Sequence, residues 1–308
     1  MTASPHPTVS AAVDHAARAR IFTREPAGQT DTPRSESERA SRKVIAAIRD
    51  DGALGAVLSV AGALARLYAA TVQAVHVGEE NQRLAATALE AGIPLRTVTG
   101  PTVDALVRAA GAEDVVAVVI AARGASTGKR PAGSTALALI TSLDKPVAVV
   151  PPDAPAMGAI ESVLVPLDGT APSAVALQEI VALASNAELQ IVAAHVHHGR
   201  SLPAFSDHLP HEVRAWSEEF IARNCPSAQA VTLELRVGEP HEHVLDILRR
   251  SGCDLVALGW TQDLARGRAA VVRRMLAESP VPVLLTPADG RSAAVLAAGQ
   301  TAAAPADV

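Results

Sequence analysis

The stretch VLVPLDGT, Val163 to Thr170, joins a run of valine, leucine and proline to an aspartate, a glycine and a threonine. Its apolar part shows no polar alternation, the pattern of a strand covered on both faces in a parallel sheet. Its polar end is turn chemistry, because glycine reaches positive φ and Asp and Thr side chains bond their own backbone. A strand that stops this way and leads into a helical segment near Pro172 opens a strand-helix-strand unit.

The unit occurs twice. Val44 lies 119 residues before Val163, and the same offset carries His76 onto His195 and Val77 onto Val196, so AVHV falls on AAHV without a gap. Further along, VTGPTVDALVRAAGAEDVVAVVI (98–120) parallels RVGEPHEHVLDILRRSGCDLVAL (236–258), and LDKPVAVVPPD (143–153) parallels SPVPVLLTPAD (279–289). Each half therefore reads as five strands alternating with four helices. In the second half the strands are expected near Ser162–Leu167, Leu189–Val196, Ala230–Arg236, Asp254–Gly259 and Val281–Thr286. The expected fold class is α/β: two tandem Rossmann-like, doubly wound parallel-sheet domains, over 42–152 and 153–287. The Pro-rich segment Val150–Glu161 is the linker, and a longer excursion runs from His197 to about Pro210. Residues 1–41, rich in Ser, Thr, Pro, Arg and Glu, read as a disordered tail, and 288–308 as a flexible one.

Composition limits what such a chain does. It has 308 residues, a formal net charge of -5 and 2% aromatic residues, so the cores are packed from Ala, Val, Leu and Ile, and nothing attracts nucleic acid or an anionic membrane. The apolar stretch Ala56–Val77 carries Arg66 near its middle and turns β-branched at Thr71, which reads as a buried helix and then a strand rather than a membrane span. Cys225 and Cys253 form no CxxC pair and no apolar leader is visible, so a cytoplasmic location is expected.

In parallel α/β sheets ligands sit beyond the carboxyl ends of the strands. Asp168 stands at such an end and has two readings, a ligand-facing carboxylate or a turn residue ahead of its helix. With VLVPLDGT, the segments AARG (121–124), AGSTALALITSLDKPVAVV (132–150) and CDLVALGW (253–260) make the chain resemble the universal stress protein family in its tandem form, from about Arg42 to Pro287. That resemblance implies ATP binding, usually with little or no hydrolysis, through an aspartate after the first strand and a Gly-x-x-Gly, nine residues, Gly-Ser/Thr pattern after the fourth. It also implies regulatory proteins that dimerise through the last strand, so a homodimer or pairing of the two halves within one chain is expected, with an unidentified protein partner.

Each half keeps a different part of that pattern. In the first, Gly133, Ser134 and Thr135 match the helix-opening pair, and Arg123 and Gly124 match the end of the Gly-x-x-Gly. Ala121 replaces the first glycine, eight residues separate Gly124 from Gly133, and Arg49 falls opposite Asp168, with Asp50 or Asp51 as substitutes. Val77, with Val196 at the repeated position, completes the expected contacts. In the second half Asp168 and Gly259 match, but Trp260 and Gln262 fill the Gly-x-x-Gly positions and Ala269 and Ala270 replace Gly-Ser. Lys129 and Arg130, and Arg266 and Arg268, precede the two helix starts, where a cation is unfavourable unless an anion offsets it. Either both loops bind a phosphate-bearing ligand or these are solvated loop charges.

Other patterns point elsewhere. GASTGKRP (124–131) lacks the spacing and the hydroxyl of a P-loop. His195, His197, His198, His208, His211, His241 and His243 have no acidic or Cys partner at metal-site spacing. Trp216 keeps helical spacing with Val213 and Phe220 and is a core residue, whereas Trp260 either plugs the pocket mouth or stacks on a base. No nucleophile-base pair is present, so the expectation is a non-catalytic regulatory or stress-response module. The alternatives are a scaffold that has lost ATP binding and, behind it, a slow ATPase.

Overall fold

The structure, a computed structural model, describes residues 18–22, 42–122, 131–184, 188–197, 219, 230–265 and 269–288. The first half runs β2 (Lys43–Ala47), α1 (Leu54–Leu67), β3 (Thr71–Val77), α2 (Gln82–Glu90), β4 (Leu95–Val98), α3 (Thr102–Ala110), β5 (Val115–Ala121), α4 (Ser134–Ser142) and β6 (Val147–Val150). The second runs β7 (Ser162–Leu167), α5 (Ala171–Ala184), β8 (Gln190–His197), β9 (Ala230–Val237), α6 (Pro240–Ser251), β10 (Leu255–Trp260), α7 (Ala270–Glu278) and β11 (Val283–Pro287). The strand ends lie within a residue or two of their sequence expectations, and Ala56–Val77 is a helix followed by a strand. No described helix is long and apolar enough to cross a membrane.

Within each half the strands are parallel and follow the same order, β4-β3-β2-β5-β6 and β9-β8-β7-β10-β11. The order reverses between β2 and β5, and between β7 and β10, which makes those gaps the two switch points of the fold. Pro166, which has no N–H to donate, lies beyond the last rung that β7 shares with β10.

The halves do not stop at their own sheets. β6 and β11 pair antiparallel, Val149 opposite Val283 and Val147 opposite Leu285, so one sheet of 11 strands runs through the molecule. Its two faces carry two cores, each drawn from both halves. One packs α1 and α5 over residues such as Val119, Ala148, Val165 and Leu284. The other packs α3, α4, α6 and α7 over Val118, Val149, Val256 and Leu285.

One segment departs from its sequence reading. Arg18–Phe22, inside the span read as a disordered tail, forms β1, antiparallel to β9 with Ala19 opposite Leu233. Strand β9 ends its half's sheet and would otherwise present a row of unpaired N–H and C=O groups. The expected helix around Trp216 and the C-terminal tail beyond 288 lie outside the described residues.

Side-chain contacts also fasten the halves and the linker between them. Gln262 of the second half gives its Nε2–H to the carbonyls of Ile140 and Leu143, at 3.2 and 2.7 Å, at the end of α4. The linker is held at both of its sides: Arg66 of α1 donates to the Gly158 carbonyl, and Asp254 accepts the backbone N–H groups of Glu161 and Ser162, both at 2.9 Å. Across the α1–α5 face, Tyr68 donates its hydroxyl to Glu179 at 2.5 Å and Thr286 donates to the other carboxylate oxygen at 2.6 Å.

Candidate functional site

The switch point of the first half opens into a cavity of about 530 Å³, within the range of small-molecule sites. Its floor is apolar, with Ala47 and Ile120 from the ends of β2 and β5 and Leu54 and Val57 from the start of α1. Its rim is polar, with Arg49 and Asp51 after β2 and Ser134 and Thr135 at the start of α4.

Local sequence explains each wall. Gly133 is the N-cap of α4 and no side chain among the described residues caps that helix, so the first-turn N–H groups and the positive end of the helix dipole face the cavity. Asp51 opens α1: its Oδ1 accepts the Ala53 N–H at 3.0 Å. Its Oδ2 accepts from Arg49, from Nη2 at 2.9 Å and from Nε at 3.3 Å. Arg49 and Asp51 are the only charged side chains among the described residues that line the cavity.

The expected residues separate into groups. Val77, Gly133, Ser134 and Thr135 line the cavity. Of the two carboxylates offered as substitutes for Asp168, Asp50 does not. It turns away to Arg83, 2.8 Å, and accepts from Asn81 at 3.1 Å, at the start of α2. The side chain of Asn81 caps α2 through the N–H groups of Arg83 and Leu84, so Asp50 is drawn into that helix start and Asp51, one residue on, takes the cavity position. Arg123, Gly124, Lys129, Arg130, Arg266 and Arg268 lie outside the described residues. Sequence reasoning passed over Thr102, which also lines the cavity at the start of α3. Its signal was the Gly100-Pro101-Thr102 turn after β4, where a third strand of the sheet ends.

In the second half the first turn of α5 lies against the equivalent position of β10. Gly259, next to last in β10, stands where Ala121 ends β5, and a Cβ built on Gly259 would overlap the carbonyl oxygen of Pro172 in the first turn of α5. Asp168 is exposed and folds back on its own turn, accepting from the Thr170 N–H at 2.9 Å and the Thr170 hydroxyl at 2.6 Å. Of its two readings the structure has the turn residue. Val196 and Trp260 are both buried in the core that packs α6 and α7, so Trp260 is a packing residue and offers no stacking face. Ala269, in place of the helix-opening glycine, sits at φ 50°, ψ 37°, a left-handed conformation costly for a residue with a Cβ.

One feature survives in both halves. His76 Nδ1 bonds the Ile48 carbonyl at 3.2 Å, and His195 Nδ1 bonds the Leu167 carbonyl at 2.6 Å. Each ring ties the second strand of its half to the end of the first, so Arg49 and Asp168, the next residues along, occupy the same place. Burial pushes His195 below its ordinary value of 6.5, against the opposing pull of the Leu167 carbonyl and nearby Asp168. The unfolded chain then takes up a proton that the native state refuses, so this contribution to stability is full above pH 6.5 and is lost as pH falls through the lower native value. Urea titrations at pH 7 and pH 5.5 are expected to show a smaller loss of stability in His195→Gln than in the wild type.

Among the described residues no cluster of His, Cys, Asp and Glu could hold a metal ion. His198, His208 and His211 lie outside them.

The sequence profile of the universal stress protein family matches residues 79–151 and 159–287. The fold is shared with a universal stress protein from Archaeoglobus fulgidus, at 16% identity and TM-score 0.56, covering 80% of this chain and 98% of that one. It is shared also with a functionally unknown protein from Pseudomonas aeruginosa, at 14% identity and TM-score 0.59, covering 87% and 100%. At these identities the likeness is one of fold. A shorter universal stress protein in complex with cAMP, 18% identical, covers 41% of this chain with TM-score 0.32, and that overlap carries no argument about the site. No curated protein matches the sequence significantly.

Proposed function

The chain belongs to the universal stress protein family, and on that premise we propose that its first half is a non-catalytic adenine-nucleotide-binding module, with ATP as ligand, serving a regulatory or stress-response role through a protein partner. The observation that carries the proposal is the cavity of about 530 Å³ at the first switch point, which runs from an apolar floor to the uncapped start of α4. An apolar floor suits a base and ribose, and unpaired N–H groups beside two hydroxyls suit phosphate. The second half supports the assignment by contrast, because the Pro172 carbonyl at the start of α5 stands against Gly259 at the equivalent strand position. No side chain among the described residues lining the cavity forms a nucleophile-base pair, so binding is expected without turnover.

Calorimetric titration of the full chain with Mg-ATP is expected to give one site, and a phosphate-release assay on the same sample no turnover. Ser134→Ala is expected to weaken binding about three- to tenfold, the worth of one hydrogen bond. Absence of heat at millimolar ATP would leave a scaffold that works by protein contacts alone, and steady phosphate release would make the protein a slow ATPase.

A further inference from the structure

The two halves differ by a full reversal of charge at one position. Arg49 and Asp168 each follow the residue whose carbonyl takes the strand-end histidine, so they are the same place in the repeat. Asp168 accepts from Thr170 in its own turn, in a half where the start of α5 stands against β10 at Gly259. Arg49 stands on the rim of the open cavity. An exposed arginine with no task would rotate freely, but Asp51 fixes this one by gripping Nε and Nη2. Both carboxylate oxygens of Asp51 are occupied, one by Arg49 and one by the Ala53 N–H, so its charge is turned to orienting the guanidinium. The side chain of Arg49 remains 58% exposed, which leaves donors of its fork open to the cavity.

The cavity therefore has two separate positions for an anion, the start of α4 and the Arg49 fork. A nucleotide with phosphates at its 5′ end alone uses one of them. Resting on the nucleotide reading above, we infer that Arg49 is a specificity-determining residue that favours nucleotides bearing a second phosphate, on the 2′- or 3′-hydroxyl of the ribose. Guanidinium and phosphate match as fork and acceptor, and charge-assisted bonds of this kind are about twice as strong as neutral ones.

Three probes that share a base and a 5′-phosphate test this: AMP, adenosine 2′,5′-bisphosphate and adenosine 3′,5′-bisphosphate, titrated into the full chain at fixed ionic strength. One bisphosphate is expected to bind about tenfold or more tighter than AMP, and the preferred isomer identifies which hydroxyl faces Arg49. Arg49→Ala should bring the ratio to near one, Arg49→Lys should keep part of it, and Arg49→Asp, the residue of the second half, should place both bisphosphates below AMP. Far-ultraviolet circular dichroism and an unchanged urea unfolding midpoint in Arg49→Ala show that the variant is folded. If AMP binds but neither bisphosphate gains, or if the gain survives in Arg49→Asp, the role of Arg49 is overturned and the nucleotide reading stands. If none of the three binds while Mg-ATP does, this inference falls and the nucleotide reading stands; if Mg-ATP gives no heat either, both fall.

Discussion

Gly259→Ala is expected to destabilise the protein by about 3 kcal/mol, at the upper end of what overpacking costs. The methyl group would sit on the carbonyl oxygen of Pro172, and that oxygen is backbone in the first turn of α5, so no side-chain rotation relieves the overlap. The turn before α5 has little slack: Thr170 is bonded to Asp168, and the Ser173 hydroxyl donates to the Thr170 carbonyl at 2.9 Å. To admit a methyl group, α5 must slide along β10 and carry buried Ala176, Leu177 and Ile180 with it. The reverse change at the equivalent position of the first half is the control. Ala121→Gly removes a methyl group from a cavity wall and should cost about 1 kcal/mol or less. Urea unfolding of both variants separates the two costs. Near-equal losses would mean that the closure at Gly259 is not the tight contact the geometry describes.

That contrast also shows how far the sequence could be read. The repeat placed the strands of the second half, because parallel strands covered on both faces leave apolar runs that survive divergence. The repeat alone could not show that β6 and β11 join the two sheets; the family resemblance implied pairing through the last strand, and the halves pair that way within one chain. A strand that pairs with its repeat-mate and one that ends a sheet have the same apolar pattern, and VAVV and VLLT look alike in either role. The same limit hid β1, whose five residues sit in a polar, Pro-rich context and acquire strand geometry from the edge of β9.

At the site, the helix-opening Gly133-Ser134-Thr135 was legible because backbone exposure at a helix start demands those residue types. The choice between Asp50 and Asp51 was not, since it turns on which helix start captures which carboxylate. Gly259 was legible as a glycine and misread in role. Small residues are needed where a backbone approaches a phosphate and equally where a helix approaches a strand, and only the position of Pro172 separates the two.

The hydrogen bonds around Glu179 had no sequence signal at all, and they carry the second large effect. Tyr68 closes α1 in the first half, Glu179 lies on α5 and Thr286 on β11 in the second, and the carboxylate accepts from both hydroxyls at 2.5 and 2.6 Å. Tyr68 is buried and its phenol is held well above its ordinary value, by burial first and by Glu179 next, so it remains a donor at every pH the fold survives. Burial also raises Glu179, against the two hydroxyls that hold it down. Glu179→Ala leaves both hydroxyls without an acceptor in a site withdrawn from water, at about 1–3 kcal/mol for each unsatisfied group, so a loss of about 2–5 kcal/mol is expected. Tyr68→Phe removes only one donor and should cost about 1–2 kcal/mol. The triple change Tyr68→Phe, Glu179→Leu, Thr286→Val removes every polar partner together and should recover most of the stability, because buried polar groups are costly chiefly when half satisfied. The pH dependence has a definite sign. A native value above 4.5 means that the folded state keeps a proton the unfolded chain has released, so this contribution is full below pH 4.5 and is lost as pH rises through the native value. Wild type minus triple variant, followed by urea unfolding from pH 4 to pH 8, should trace that loss. Because Tyr68 belongs to one half and its acceptor to the other, the coupling energy from the Tyr68→Phe, Glu179→Leu cycle measures how firmly this face joins the halves. A coupling near zero would assign the junction to the β6–β11 pairing and the apolar core alone.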